Sequence, residues 1–163
     1  MASLTVWKFE TPDGAQEALS KLVDLSKQHL LVIQDAAVVS WPTGKKKPKT
    51  HQARNLTGAG ALSGAFWGML FGLIFFIPFF GLAVGAAMGA LAGHFSDYGI
   101  DDDFMKSVRD QVTEGTSALF LMADQVTEDK VAEAFKGAKM TLIKSNLSAE
   151  QEAKLNADFG DEA

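Results

Sequence analysis

NLTGAGALSGAFWGMLFGLIFFIPFFGLAVGAAMGALAGHFS, residues 55–96, decides how the rest of the chain is read. It holds no Asp, Glu, Lys or Arg, and its one ionisable residue is His94. Gly60, Gly64, Gly68 and Gly72 stand four apart, as do Gly81, Gly85, Gly89 and Gly93, with Pro78 between the two runs. Small residues at that spacing make a stripe along which another helix backbone can approach closely. Proline lacks the N–H that a helix interior needs and holds the residue before it, Ile77, extended. The pattern predicts two apolar helices back to back, helix one over about Leu56 to Phe76 and helix two over about Phe79 to Phe95.

At 1.5 Å per residue these helices are roughly 31 and roughly 26 Å long, against a hydrocarbon core of about 30 Å. Length therefore permits a membrane span. The tip, Phe75-Phe76-Ile77-Pro78-Phe79-Phe80, has no polar residue to sit in water on a far side, so it suits an apolar phase. Helix one carries nine Leu, Ile or Phe residues, worth about −3 to −5 kcal/mol on an insertion scale. Helix two is richer in Gly and Ala and needs a partner. Helices apolar on every side must be surrounded, and a lone chain of this length has little to surround them with besides a second core. Lipid contact is the expectation, by spanning a bilayer or by dipping into one leaflet or a lipid droplet, with a large assembly hiding the hairpins at its centre as the other case.

Outside residues 55–96 the charge is unevenly placed. The chain has a formal net charge of −5 over 163 residues, yet residues 1–54 hold eight Lys or Arg against five acids, and residues 97–163 hold seven against fifteen. Lys45, Lys46, Lys47, Lys49 and Arg54 come just before the apolar stretch. Cations beside an apolar segment mark the cytoplasmic side and favour anionic headgroups or an acidic partner. A solvated turn is the plainer account. There is no cysteine, so disulfides and thiolate metal sites are excluded. Residues 1–10 lack the basic and apolar regions of a secretory signal, so the soluble part and both termini are expected in the cytoplasm.

The flanks read as alternating strands and helices. Leu4 to Phe9 alternates, Leu4 and Val6 on one face and Thr5, Trp7 and Phe9 on the other. Thr11-Pro12-Asp13 opens a helix to about His29, with Thr11 as cap and Pro12 at the first position. Leu30 to Trp41 is strand-like, and Lys49 to Arg54 is a polar return strand at the sheet edge. After the insert, Asp101-Asp102-Asp103 opens a helix that Gly115 stops, and residues 117–123 form a central buried strand. A helix from Thr127, a strand over Lys139 to Ser145 and a capping box at Ser148 and Gln151 complete the chain. The order is that of an α+β fold: a ferredoxin-like antiparallel sheet with helices in one domain, residues 1–54 with 97–163, interrupted by the hairpin of residues 55–96.

The glycine-zipper insert, then Gly99-Ile100-Asp101-Asp102, Gly115-Thr116-Ser117-Ala118-Leu119-Phe120 and Asn146-Leu147-Ser148-Ala149-Glu150-Gln151, resembles a bacterial family of predicted membrane proteins, domain of unknown function twelve-sixty-nine. The resemblance implies a membrane-associated protein and supplies no activity or active site.

Chemistry-bearing patterns are sparse. Gly58-Ala59-Gly60 is followed by Ser63 and Gly64, which breaks a dinucleotide fingerprint, and Gly44-Lys45-Lys46 lacks the first glycine and the Ser or Thr of a phosphate loop. His29, His51 and His94 are dispersed without carboxylates at ligand spacing, and the aspartate run serves as helix cap rather than cation site. The sequence therefore predicts no enzyme, cofactor, metal or nucleic-acid partner, and leaves any small-molecule ligand unknown. It predicts a homo-oligomer that meets lipid through the hairpin. The alternative is a soluble ligand-sensing module hiding its hairpins inside a closed particle.

Overall fold

A computed structural model describes residues 2–28, 35–46, 48–52, 64–76, 99–135, 140–146, 148, 150–151 and 153–154. Strands β1 (Ala2–Phe9), β2 (Asp35–Trp41), β3 (Lys49–Gln52), β4 (Thr116–Asp124) and β5 (Met140–Asn146) form one five-stranded sheet in the order β3-β2-β4-β1-β5. Every neighbouring pair is antiparallel. Without β3, the order β5-β1-β4-β2 with two crossover helices is the ferredoxin-like arrangement. β4 lies at the centre, and Ala118 to Ala123 are buried without a break, as a strand covered on both faces must be.

Each face of the sheet carries its own core. Trp7, Phe9, Ala36, Val38, Leu119 and Leu121 meet α1 (Gly14–Lys27) and α4 (Gln125–Ala134). Leu4, Val6, Ala37, Val39, Phe120 and Met122 meet α2 (Gly64–Phe71), the π-helical turn Gly72–Phe76 that continues it, and α3 (Asp102–Gln111). In sequence terms the helices on this second face come from between β3 and β4. A bare ferredoxin-like unit leaves that face open. Here it is too apolar for water, and residues 64–76 of the insert are one of the layers that cover it.

Helix starts differ from the sequence expectation in two places. Thr11 does not cap α1 and Pro12 is not its first residue. The helix begins at Gly14, after Asp13, whose side chain makes no capping bond. Ser117 of β4 supplies the cap: its Oγ accepts from Ala15 N at 2.9 Å and donates to Thr11 O at 2.7 Å. Gly14 is required because a Cβ there would lie 2.6 Å from Phe9 Cβ. α4 begins at Gln125, directly after β4, two residues before the expected start at Thr127, which is buried in the first turn. The caps expected at Asp101 and Ser148 hold. Asp101 Oδ1 accepts from Phe104 N at 2.9 Å, and Ser148 and Gln151 exchange reciprocal bonds of 2.8 and 3.1 Å. Gly115 does not stop α3, which ends at Gln111 with Val112 extended after it; Gly115 turns the chain into β4 at φ 81°, where its N–H donates to Trp41 O.

Candidate functional site

The described part of the apolar stretch lies along β2. Its sequence from Gly64 to Phe75 repeats one tetrad three times, a glycine followed three residues later by an aromatic: Gly64 and Trp67, Gly68 and Phe71, Gly72 and Phe75. The aromatics face the sheet. Trp67 stacks on Phe71 at 5.7 Å, Phe71 meets Phe120 edge-to-face at 5.0 Å, and Phe75 meets Trp41 edge-to-face at 6.4 Å. Such pairs add about 0.5–1.5 kcal/mol each beyond the area they bury. Leu70 to Phe75 are buried without a break, whereas Gly68 is exposed and a Cβ on it would meet nothing within 4 Å.

Two polar clasps hold this helix. At one end Asp35, fully buried, accepts from Trp67 Nε1 at 2.7 Å through Oδ2 and from Ala36 N at 2.8 Å through Oδ1. At the other end Arg109 of α3 donates from Nε to Ile74 O at 2.7 Å and from Nη2 to Leu73 O at 2.8 Å. The second clasp has a covalent cause. In an α-helix the carbonyl of Ile74 would be served by the N–H of residue 78, and in a π-helix so would that of Leu73. Residue 78 is proline and has no N–H. The guanidinium fork satisfies both carbonyls and sets a positive charge at the helix C-terminus, where the macrodipole favours it.

The helix direction follows from its contacts. Trp67 is held at Asp35 and Phe75 at Trp41, the two ends of β2, so α2 runs in the same sense as β2. Trp41 Nε1 in turn donates to Lys45 O at 2.8 Å. The basic β2–β3 turn therefore stands beside the far end of α2. From the sequence, in which Lys49 and Arg54 lead into Asn55, the same cations would be placed at the start of the hairpin. Lys45, Lys46 and Lys49 are exposed.

Of the residues singled out from sequence, Gly64, Gly68, Gly72, Phe75 and Phe76 are thus located on α2 and its π-helical turn, Lys45 and Lys46 in the β2–β3 turn beside its end, and Lys49 at the start of β3. Gly60, Gly81, Gly85, Gly89 and Gly93, the tip residues Ile77 to Phe80, Lys47 and Arg54 lie outside the described residues, as does helix two. Sequence reasoning missed Asp35, Arg109 and Trp41. Asp35 carried a signal, an acid at the head of an apolar strand; Arg109 was visible only as one cation of a polar helix.

A separate open groove of about 430 Å³ lies on the other face, lined by residues that include Phe9, Glu10, Glu17, Lys21 and Phe135. Lys21 Nζ closes its side, donating to Ala134 O at 2.9 Å and lying 5.9 Å from the Phe135 ring centre. Among the described residues no three His, Asp or Glu side chains converge as a metal site, and no helix is long and apolar enough to cross a membrane.

The family described as "Protein of unknown function (DUF1269)" matches residues 61–160, more than half of the chain. The chain belongs to that family. The DUF1269 match takes in α2, α3, β4, α4 and β5, that is, the described helices of the second face and the central strand, and begins after β3. No curated protein and no solved structure matches.

Proposed function

We propose that the chain is a non-enzymatic, membrane- or lipid-associated structural protein that assembles with copies of itself through the glycine stripes, its α+β domain lying on the cytoplasmic side. The observation that carries this reading is Gly68. It sits on an uncharged helix, exposed, with open space around it. A glycine in an exposed helical position costs about 1 kcal/mol relative to alanine, and nothing in the described fold requires it. A helix backbone approaching from another hairpin would require it.

Gly68→Ala and Gly68→Leu test this. If Gly68 serves assembly, both variants keep or raise the unfolding midpoint while the particle dissociates or the detergent-extracted species shrinks. Particle size unchanged by Gly68→Leu, or wild-type chain that stays in the supernatant without detergent and elutes as a monomer, overturns the proposal.

The soluble ligand-sensing module keeps one observation in its favour, the groove beside Phe9 and Phe135. Its volume is within the range of small-molecule sites. A monodisperse, lipid-free particle in detergent-free buffer would favour this second reading.

A further inference from the structure

Lys45, Lys46, Lys49 and Trp41 form one corner with the end of α2, although Trp41 and Phe75 are far apart in sequence. The ring of Trp41 is half-buried, its edge set against Phe75 at 89°, and its N–H is tied to the backbone of Lys45. None of the three lysines makes an ion pair with a described residue. The acid facing the turn, Glu114, has its carboxylate 3.5 Å from Gly44 N. A rigidly held tryptophan flanked by solvated lysines combines the two residue types that settle at a membrane boundary, the aromatic at the headgroup level and the cations toward phosphate.

We infer that this corner is where the chain meets an anionic lipid bilayer, with Trp41 at headgroup depth. The inference rests on the membrane reading above and says which surface of the domain meets the lipid. The clasps at Asp35 and Arg109 hold α2 and its π-helical turn on the sheet, so Phe75 stays against Trp41 and the tryptophan stays beside the lysine turn.

Trp41 is its own reporter, because Trp7 and Trp67 are each only 2% exposed. The full chain is titrated with phosphatidylcholine vesicles with and without phosphatidylglycerol, and tryptophan quenching is read with bromines placed shallow or deep on the acyl chains. Partitioning should require phosphatidylglycerol. At about fivefold per cation, the double variant Lys45→Gln, Lys46→Gln should bind about 25-fold more weakly, with an unchanged thermal transition. Shallow bromines should quench more than deep ones, and Trp41→Phe should abolish the difference.

Binding that survives the double variant unchanged, or that leaves Trp41 unquenched, overturns the inference while leaving membrane association standing. Stronger quenching by deep bromines overturns the shallow placement. A wild-type chain that ignores every vesicle overturns both.

Discussion

On one face of the sheet α1 buries Ala15, Ala18, Leu19 and Leu22 and turns Glu17, Lys21 and Lys27 outward; on the other, α2 with its π-helical turn is apolar all round and buries Leu70 to Phe75. An amphipathic helix specifies its own rotation, since only one face gains by leaving water. A helix apolar on every side has no such preference. Its rotation and register on this sheet are set by shape, through the aromatics of the repeated tetrad, and by the bonds to Asp35 and from Arg109. The first face is thus held by a hydrophobic gradient and the second by complementarity and a few directional contacts.

The comparison breaks most plainly at Phe71. Phe71→Ala should cost about 3–5 kcal/mol, at least as much as Leu22→Ala on the other face at about 2–5 kcal/mol, in denaturant unfolding. A loss near zero for Phe71→Ala would mean that α2 is not part of the domain's core.

Next in size is Asp35→Ala, which removes the carboxylate that accepts from Trp67 and Ala36 and should cost about 1–3 kcal/mol. Asp35→Asn should recover part of it, because an amide oxygen still accepts. A shift in Trp67 emission accompanies the loss if rotation of α2 is what the carboxylate controls.

Arg109→Ala should cost about 1–2 kcal/mol, below the full worth of two charged hydrogen bonds because the side chain is largely exposed. Arg109→Lys should restore less than half of that, since an ammonium lacks the planar fork that serves two adjacent carbonyls. Full rescue by lysine would reduce the clasp to simple charge.

Ser117→Ala sharpens the other side of the comparison with the smallest effect, about 1 kcal/mol for a lost helix cap. Exchange of the Ala15 amide should accelerate while the amides of α2 keep their rates. Acceleration on both faces would show that the two layers open together.

Much of the fold was legible because its signals are local. The alternation of Leu4 to Phe9 assigns its residues to two faces, the unbroken apolar run near Leu119 marks the centre of the sheet, and Ser148 with Gln151 forms its capping box three residues apart. The cap of α1 was not legible. Thr11-Pro12-Asp13 has the composition of a helix start, but the oxygen that meets Ala15 N belongs to Ser117, about a hundred residues away. The helix expected from Thr127 starts two residues earlier, at Gln125, directly after β4. The lysine turn shows the limit for the candidate site, because neighbourhood in sequence placed it at the wrong end of the apolar helix.

Covalent sequence alone determined that residues 55–96 carry no formal charge, that residue 78 cannot donate a hydrogen bond, and that the flanking strands have apolar residues for both faces. These are properties of residues and their spacing, and no folding is needed to state them. Tertiary structure alone decided which surface α2 covers, which guanidinium serves the carbonyls that proline leaves bare, and that the lysines stand beside Phe75. A uniformly apolar helix has no hydropathic preference for one side, so its place depends on partners that only the folded sheet brings together.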